Sequence, residues 1–242
     1  MKRLCKKTIE VYKDKGIPGV AASALRKLRI RLYEYSGYFY YKAFKSAAAF
    51  TFKGNRCRYF YHLYNTTWLN ERAIEVPIVM EYLKKYDGKK ILEAGNVLSH
   101  YLSFDHDIVD KYEKAPGVIN ADVVSFSPQG KYDLIVSIST LEHVGWDEIP
   151  REPSKIILAV ENLKGLLASG GEMIVTLPLG YNCDMDIFLK EKRLIFDEAY
   201  YYRRISKDNR WIEADPNNLS GIEYDAPYPA ANALFIGIIK GR

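Results

Sequence analysis

The sequence contains few of the residues that form disulfide frameworks and metal sites. Only three of its 242 residues are cysteine, and they are far apart, at positions 5, 57 and 183. An odd number of scattered cysteines argues against a disulfide framework and favours a reducing, cytoplasmic setting. The four histidines form no cluster with metal-ligand spacing, either with one another or with the cysteines, so we predict no metal site.

Long apolar runs are also absent. No run reaches the ~20 residues that a membrane-spanning helix needs, and the basic amino terminus lacks the apolar core of a secretory signal. We therefore expect neither a membrane span nor a leader. The length of the chain, with 48% hydrophobic and 14% aromatic residues, is typical of one large domain or of a domain with an appendage.

The glycine-rich turn Gly-x-Gly-x-x-Gly, which binds the pyrophosphate of dinucleotides, is missing as well, and this argues against an NAD-dependent enzyme. In the stretch 89–100, the short apolar run Ile91-Leu92 leads instead into Glu93 and Gly95. This order predicts a buried strand that ends in a tight turn, where open α/β sheets bind their ligands. The stretch thus indicates a nucleotide-like cofactor site, with an ordinary turn and a solvent-facing Glu93 as the alternative.

Acidic residues are scarce in the amino-terminal part of the chain. Residues 1–58 contain 15 Lys and Arg but only 3 Asp and Glu, whereas the remaining residues include 20 basic and 27 acidic side chains. The formal net charge of +5 therefore hides two parts of opposite sign, which we interpret separately. The pattern predicts a basic extension over residues 1–70 and a main domain over residues 71–242.

Leu25, Leu28 and Leu32 recur at helical spacing within residues 20–35, with basic residues between them. This pattern predicts an amphipathic helix, and the aromatic residues that follow it suit a lipid headgroup interface. Residues 1–45 are therefore expected either to contact a membrane at its inner face or to pack on the main domain or a partner. A nucleic-acid ligand is disfavoured, because nothing in the segment resembles a nucleic-acid-binding motif.

A second local pattern lies in residues 50–72, where aromatic residues alternate on either side of Gly54-Asn55. The pattern predicts a hairpin. Candidates for a lid over the cofactor are Trp68, Asn70 and Arg72, with a packed tryptophan beside a helix cap as the alternative. Apolar residues at helical spacing then predict a helix over residues 71–86.

From residue 91 onward, strand and helix patterns alternate. Short apolar runs precede Asp110 and Asp122, and acids at the ends of successive strands suit the ribose and base of a nucleoside, although each could be a turn residue. The remaining predicted elements are strands over 134–138, 173–178, 211–213 and 233–239 and a helix over 156–167. This series predicts a doubly wound, mostly parallel sheet, with an antiparallel pair formed by the last two strands.

Residues 71–242 resemble the class I S-adenosylmethionine-dependent methyltransferases. The resemblance rests on motifs spaced along the domain, namely Ile91-Leu92-Glu93-Ala94-Gly95, Asp110, Asp122, Tyr132-Asp133-Leu134-Ile135-Val136-Ser137, Ser139-Thr140-Leu141-Glu142-His143-Val144 and Leu166-Leu167-Ala168-Ser169-Gly170-Gly171-Glu172. It implies an α/β, Rossmann-like methyltransferase fold with a seven-stranded sheet, and S-adenosylmethionine as cofactor. The chain departs from the family pattern at Val97 and Ser99, where the family's first loop commonly has glycines.

The same resemblance implies roles for individual residues. The cofactor-binding residues would be Glu93, Gly95, Asn96, Asp110, Asp122, Val123 and Ser139. Within this set, Glu93 and Gly95 would line the methionine portion of the cofactor, and Asp110 would bind its ribose. Asp122 or Val123 would contact the adenine, and Ser139 would flank the site of methyl transfer.

A hydroxyl acceptor needs a base that removes its proton. His143 is the first candidate, because histidine exchanges protons most readily near neutral pH, and Glu142 is the second. The alternative to a base is that His143 starts a helix and forms a hydrogen bond with the backbone.

Polar residues mixed with aromatic ones after Pro178 and over residues 200–211 suit a sugar. We therefore predict O-methylation of a sugar hydroxyl in a cell-surface glycan or its lipid-linked precursor. A soluble small metabolite is the second acceptor class. A non-catalytic binding or scaffold protein that retains the fold is the alternative outside the enzymes.

Overall fold

The structure is a computed structural model that describes residues 2–242, with side chains from residue 13 onward. Met1 and the side chain of Cys5 lie outside the described residues. The chain divides into two compact units, Met1–Ser46 and Ala47–Arg242. The boundary therefore lies earlier than the predicted residue 70, because the segment from residue 47 to residue 70 belongs to the second unit.

The first unit is built on one long helix, α1 (Lys2–Phe44). Gly16 interrupts its regular geometry with φ 62° and ψ −165°, a conformation open almost only to glycine. The predicted helix over residues 20–35 is confirmed as part of α1. None of the side chains described between residues 13 and 46 is buried. Within the described chain, no helix has the length and apolar character needed to cross a membrane.

A hairpin opens the second unit. Its strands β1 (Ala49–Phe52) and β2 (Asn55–Arg58) pair antiparallel, which confirms the predicted hairpin. The two-residue turn Lys53-Gly54 has positive φ at both positions, 51° and 78°, as in the tight turns that match the twist of hairpin strands. The hydroxyl of Tyr202 donates a hydrogen bond to the Thr51 carbonyl oxygen over 2.7 Å, and this contact ties the hairpin to the main sheet.

Eight further strands form that sheet. They are β3 (Ile91–Ala94), β4 (Asp107–Val109), β5 (Val118–Ile119), β6 (Tyr132–Ile138), β7 (Leu167–Pro178), β8 (Glu198–Arg204), β9 (Trp211–Glu213) and β10 (Ala233–Lys240). Their order across the sheet is β5-β4-β3-β6-β7-β10-β8-β9. The strands β3 to β7 run parallel, whereas β10 is antiparallel to both β7 and β8, and β9 is antiparallel to β8.

Helices cover both faces of this sheet. The helix α2 (Arg72–Lys85) packs on one face, whereas α3 (Lys155–Gly165) and α4 (Cys183–Lys190) pack on the other. Because side chains alternate along a strand, Leu134 of β6 enters the core under α2 and the adjacent Ile135 enters the core under α3 and α4. The predicted doubly wound, mostly parallel sheet and both predicted helices are thus confirmed.

Two details of the sheet differ from the prediction. It has eight strands rather than seven, because β9 extends the edge at β8. The expected pairing of residues 211–213 with 233–239 does not occur, since β8 lies between β9 and β10.

We interpreted the aromatic run over residues 200–211 as part of an acceptor site, but the structure places it in the sheet. It supplies β8 and the start of β9, and both Tyr202 and Trp211 are buried in the core. Their aromatic character therefore reflects packing of the sheet rather than recognition of a sugar.

The burial of β6 predicts a large effect of truncating its core residues. Leu134→Ala removes a fully buried side chain, so we expect the free energy of unfolding to fall by about 2–5 kcal/mol. Leu158→Ala is the matched control, because that side chain on α3 is 58% exposed and its loss should change stability by less than about 0.5 kcal/mol. Urea denaturation measures both effects. Equal decreases in the free energy of unfolding for the two variants would contradict the described core.

Candidate functional site

A cavity of about 550 Å³ lies at the carboxyl ends of strands β3 to β6. Because these strands are parallel, their carboxyl ends meet at one edge of the sheet and bring residues from distant parts of the chain together. The apolar part of the cavity wall includes Ala94, Val97, Val109, Ala121, Val123, Leu141 and Val144. Its charged part includes Asp110, Lys111, Glu113, Asp122, Asp147 and Glu148.

Gly95 allows the loop after β3 to approach the loop after β6. Its φ of 90° lies in the region that favours glycine, and a Cβ at this position would come within 2.2 Å of the Thr140 Oγ1. Both residues line the cavity. The close approach therefore requires a glycine here, as the resemblance implied for a residue of the cofactor loop.

The Glu93 carboxylate supports this loop from inside the protein. It is fully buried, and its Oε1 accepts hydrogen bonds from the backbone amides of Val97 and Leu98 over 2.8 and 2.7 Å. Its Oε2 lies 2.9 Å from the Nε2 of His106, a residue that our sequence reasoning did not select. Glu93 thus positions the loop and does not itself line the cavity.

Two polar residues of the cavity, Asp110 and Asn96, are oriented by their neighbours. The Oδ1 of Asp110 accepts hydrogen bonds from the backbone amides of Tyr112 and Glu113 over 2.8 and 2.7 Å, whereas its Oδ2 accepts none from the described residues. The Nδ2 of Asn96 donates to the Glu113 Oε1 over 2.8 Å, and the Ser99 hydroxyl donates to the Asn96 Oδ1. Asp110 therefore has one carboxylate oxygen available to a ligand, while the Asn96 amide is engaged within the protein.

Asp122 belongs to a cluster of four charges in the cavity wall. The Lys111 ammonium lies 2.9 Å from Asp122 and 3.0 Å from Glu148, and the Lys155 ammonium lies 3.0 and 2.6 Å from the same two carboxylates. Burial raises the pKa of Asp122, but hydrogen bonds from the two lysines outweigh burial and lower the pKa to about 2. The carboxylate that we assigned to the adenine is thus engaged by lysines, and Val123 beside it contributes apolar surface.

His143 lines the cavity and is oriented by Asp147. The His143 Nδ1 lies 2.6 Å from the Asp147 Oδ2, and the hydroxyl of Tyr181 donates to the same oxygen over 2.9 Å. Burial, together with the contact to Asp147, raises the pKa of Tyr181 to about 12, so this hydroxyl keeps its proton. Because a carboxylate only accepts hydrogen bonds, the contact assigns the proton of the neutral imidazole to Nδ1 and leaves Nε2 as a proton acceptor.

Ser139 follows β6 directly and is engaged by a buried carboxylate of α2. Its hydroxyl donates to the Glu75 Oε1 over 2.5 Å, and the Thr176 hydroxyl donates to the same oxygen over 2.7 Å. The guanidinium group of Arg72 pairs with the other carboxylate oxygen. Ser139 therefore does not line the cavity as the resemblance implied, and the adjacent Thr140 does so instead.

Glu142 carries a buried carboxyl group that its neighbours do not satisfy. The residue is 1% exposed, and its Oε2 has no hydrogen-bond partner among the described residues. Burial raises the pKa of Glu142 well above its usual range, and the nearby Glu75 and Glu71 raise it further against the effect of Arg72. The Glu142 Oε1 lies 3.6 Å from the His143 Nε2, which is beyond hydrogen-bond distance.

The structure thus separates the nine predicted site residues into two groups. Those that line the cavity are Gly95, Asn96, Asp110, Asp122, Val123 and His143. The other three, Glu93, Ser139 and Glu142, are buried and support or adjoin its wall. Sequence reasoning missed Asp147, although its spacing of four residues from His143 is a detectable signal. Among the described side chains, no group of three His, Cys, Asp or Glu residues is arranged to hold a metal ion.

No protein-family model and no curated protein matches this sequence. Similar solved structures include the N-methyltransferase NodS from Bradyrhizobium japonicum WM9, with a TM-score of 0.46 and 14% identity over 71% of this chain and 96% of that chain. An rRNA methylase from Streptococcus thermophilus has a TM-score of 0.43 and 12% identity over 69% of this chain and 96% of that chain.

A third similar structure is the sugar N-methyltransferase KedS8 from Streptoalloteichus sp ATCC 53650, with a TM-score of 0.36 and 13% identity. It is matched over 69% of this chain and 87% of that chain. The class of the fold rests on the strand order and direction described above, which define a doubly wound, Rossmann-like sheet.

Glu142→Gln tests the charge state of the buried carboxyl group. Because folding raises the pKa of Glu142 above its ordinary value of 4.5, native stability falls as pH rises from 4.5 towards the pKa in the folded protein. The glutamine variant lacks this titration. Its free energy of unfolding should therefore increase relative to that of the native protein by about 1.4 kcal/mol per pH unit in this range, as measured by urea denaturation.

Glu81→Gln is the matched control for this experiment. The Glu81 carboxylate is 56% exposed and pairs with Lys84 on the surface, so its replacement should change stability by less than about 1 kcal/mol. If the free energies of unfolding of Glu142→Gln and the native protein differ by an amount that does not change with pH, the buried carboxyl group does not titrate as described.

Proposed function

We propose that this protein is an S-adenosylmethionine-dependent methyltransferase that methylates a sugar hydroxyl in a cell-surface glycan or its lipid-linked precursor. The observation that carries the proposal is the position of His143. The Asp147 carboxylate orients its imidazole at the wall of the cavity, 2.6 Å from Nδ1. A base held in this way beside a cofactor-sized cavity meets the requirement of a hydroxyl acceptor.

The residues of the cavity fit S-adenosylmethionine. The carboxyl ends of parallel strands are where open α/β sheets bind nucleotide cofactors, and about 550 Å³ is in the range of small-molecule sites. The Oδ2 of Asp110 would accept hydrogen bonds from ribose hydroxyls. The apolar wall, with Val123 and Leu141, would contact the adenine.

When bound, S-adenosylmethionine supplies a methyl group on a positively charged sulfur that is already activated for transfer. The protein then has to orient the acceptor, exclude water and take up the proton of the hydroxyl. In our proposal the Nε2 of His143 takes up this proton, and Asp147 stabilises the imidazolium that forms. Tyr181 holds Asp147 in place through its hydroxyl.

The surroundings of His143 support a sugar as acceptor. The ring of Tyr181 lies edge-on to the imidazole, with 4.9 Å between ring centres, and 5.3 Å from the ring of Tyr224. Aromatic rings of this kind pack on the apolar face of a sugar. A soluble small metabolite with the same mixture of surfaces is the second acceptor class.

A non-catalytic binding or scaffold protein is the alternative outside the enzymes. It is motivated by the first loop, which lacks the family's second and third glycines. Val97 lines the cavity and narrows it on this side, whereas the Ser99 hydroxyl is turned to Asn96. Binding of the cofactor distinguishes the enzyme from this alternative.

Calorimetric titration of the full-length protein with S-adenosylmethionine, and with NAD as a control ligand, tests the cofactor assignment. We expect binding of S-adenosylmethionine alone. Asp110→Asn retains the Oδ1 acceptor of the loop but replaces Oδ2 with an amide donor. Loss of the charged hydrogen bonds to ribose should weaken binding roughly tenfold to a hundredfold.

Asp87→Asn is the matched control, because Asp87 is exposed and does not line the cavity. It should bind S-adenosylmethionine as the native protein does. If the native protein binds neither ligand, the enzyme assignment is wrong and the non-catalytic alternative is favoured.

His143→Ala tests the assignment of the base. Because the variant has no group to take up the hydroxyl proton, turnover should fall by about 10²–10⁴-fold. Transfer of tritium-labelled methyl groups to a panel of nucleotide sugars and extracted glycolipids measures turnover. Calorimetry serves as the control, since binding of S-adenosylmethionine should be retained. Unchanged turnover would rule out His143 as the base.

A further inference from the structure

We propose that α1 binds the surface of an anionic membrane and lies along it. The proposal concerns residues 13–45, and it does not depend on the methyl-transfer activity. Although this segment is rich in leucine, tyrosine and phenylalanine, none of its side chains is buried in the described structure. Such an exposed apolar surface indicates an interaction site, because water is a poor environment for it.

Some apolar residues of α1 form a stripe along one face. Five of them recur at spacings of three and four residues, which places them on the same side of a helix. Each is at least half exposed: Leu25 60%, Leu28 54%, Leu32 60%, Tyr35 50% and Phe39 66%. We call these five residues the apolar stripe.

Basic residues flank the apolar stripe. Residues 13–45 include eight Lys and Arg but only two Asp and Glu. Arg29 and Arg31 lie about 80° from the middle of the stripe, one on either side, whereas Glu34 lies on the far side of the helix. An apolar face bordered by cations is the arrangement of helices that lie in the interface of an anionic bilayer, with the arginines at the headgroups.

The same spacing would also suit a coiled coil with a second copy of the chain. The charges beside the stripe favour membrane binding over this coiled coil. In a coiled coil, the positions beside the seam face the partner helix and favour pairing when their charges are opposite. Here Arg29 and Arg31 occupy two of these positions, and the equivalent positions on a second copy offer no acidic partner. An anionic lipid surface supplies the negative charge that a second copy lacks.

Co-sedimentation of the full-length protein with vesicles tests the proposal. We expect binding to vesicles of equimolar phosphatidylcholine and phosphatidylglycerol, weaker binding to phosphatidylcholine alone, and weaker binding in high salt, which screens the charges. Arg29→Gln and Arg31→Gln should each weaken binding to the anionic vesicles roughly fivefold.

Leu28→Ser and Ile30→Ser form a matched pair for the apolar contribution. Leu28→Ser removes an apolar side chain from the stripe and should weaken binding roughly tenfold or more. Ile30 is similar in size and 48% exposed, but it lies about 200° around the helix from Leu28, so Ile30→Ser should bind as the native protein does. Circular dichroism checks that both variants retain their helix content.

Three results would overturn the proposal. The first is that neither kind of vesicle binds, or that Leu28→Ser and Ile30→Ser lose binding equally. The second is a dimer in sedimentation velocity that Leu28→Ser dissociates, without vesicle binding, since this would assign the stripe to a second copy. The third is binding of duplex DNA in place of vesicles. None of these results bears on methyl transfer to nucleotide sugars, which is assayed without vesicles.

Discussion

The buried carboxylate of Glu75 joins the helical layer to the strand ends at which the site lies. It accepts hydrogen bonds from Ser139, just after β6, and from Thr176 on β7, while Arg72 neutralises its charge. A carboxylate buried without such partners costs several kcal/mol, so α2, β6 and β7 are held in one arrangement. The turn that carries His143 begins at Ser139, and its position in the cavity wall depends on this contact.

Two electrostatic environments meet at this histidine. On the cavity side, lysines hold the pKa of Asp122 at about 2, so the carboxylate is ionised and paired. On the other side, burial raises the pKa of Glu142, whose Oε2 has no hydrogen-bond partner among the described residues. The difference arises from access to water and cations rather than from residue type.

Sequence patterns predicted those residues of the site that directly follow a strand. Asp110 lines the cavity because it follows a strand that pairs in parallel with β3, and this geometry holds wherever such strands pair. The patterns did not predict which side chains support the site. Glu93 is bound by His106, and Ser139 by Glu75, a residue 64 positions away. No local periodicity connects such pairs, since only the packing of α2 on the sheet brings them together.

By itself, the sequence determined the series of strands and helices, the doubly wound class of the fold and the basic helix at the amino terminus, because these depend on the local order of apolar, polar and charged residues. Only the tertiary structure decided that β10 inserts between β7 and β8, and that Tyr202 of β8 belongs to the core. It also decided that the pKa of Asp122 is lowered and that of Glu142 is raised. Strand pairing and burial depend on contacts between residues far apart in the chain, and local patterns do not specify those contacts.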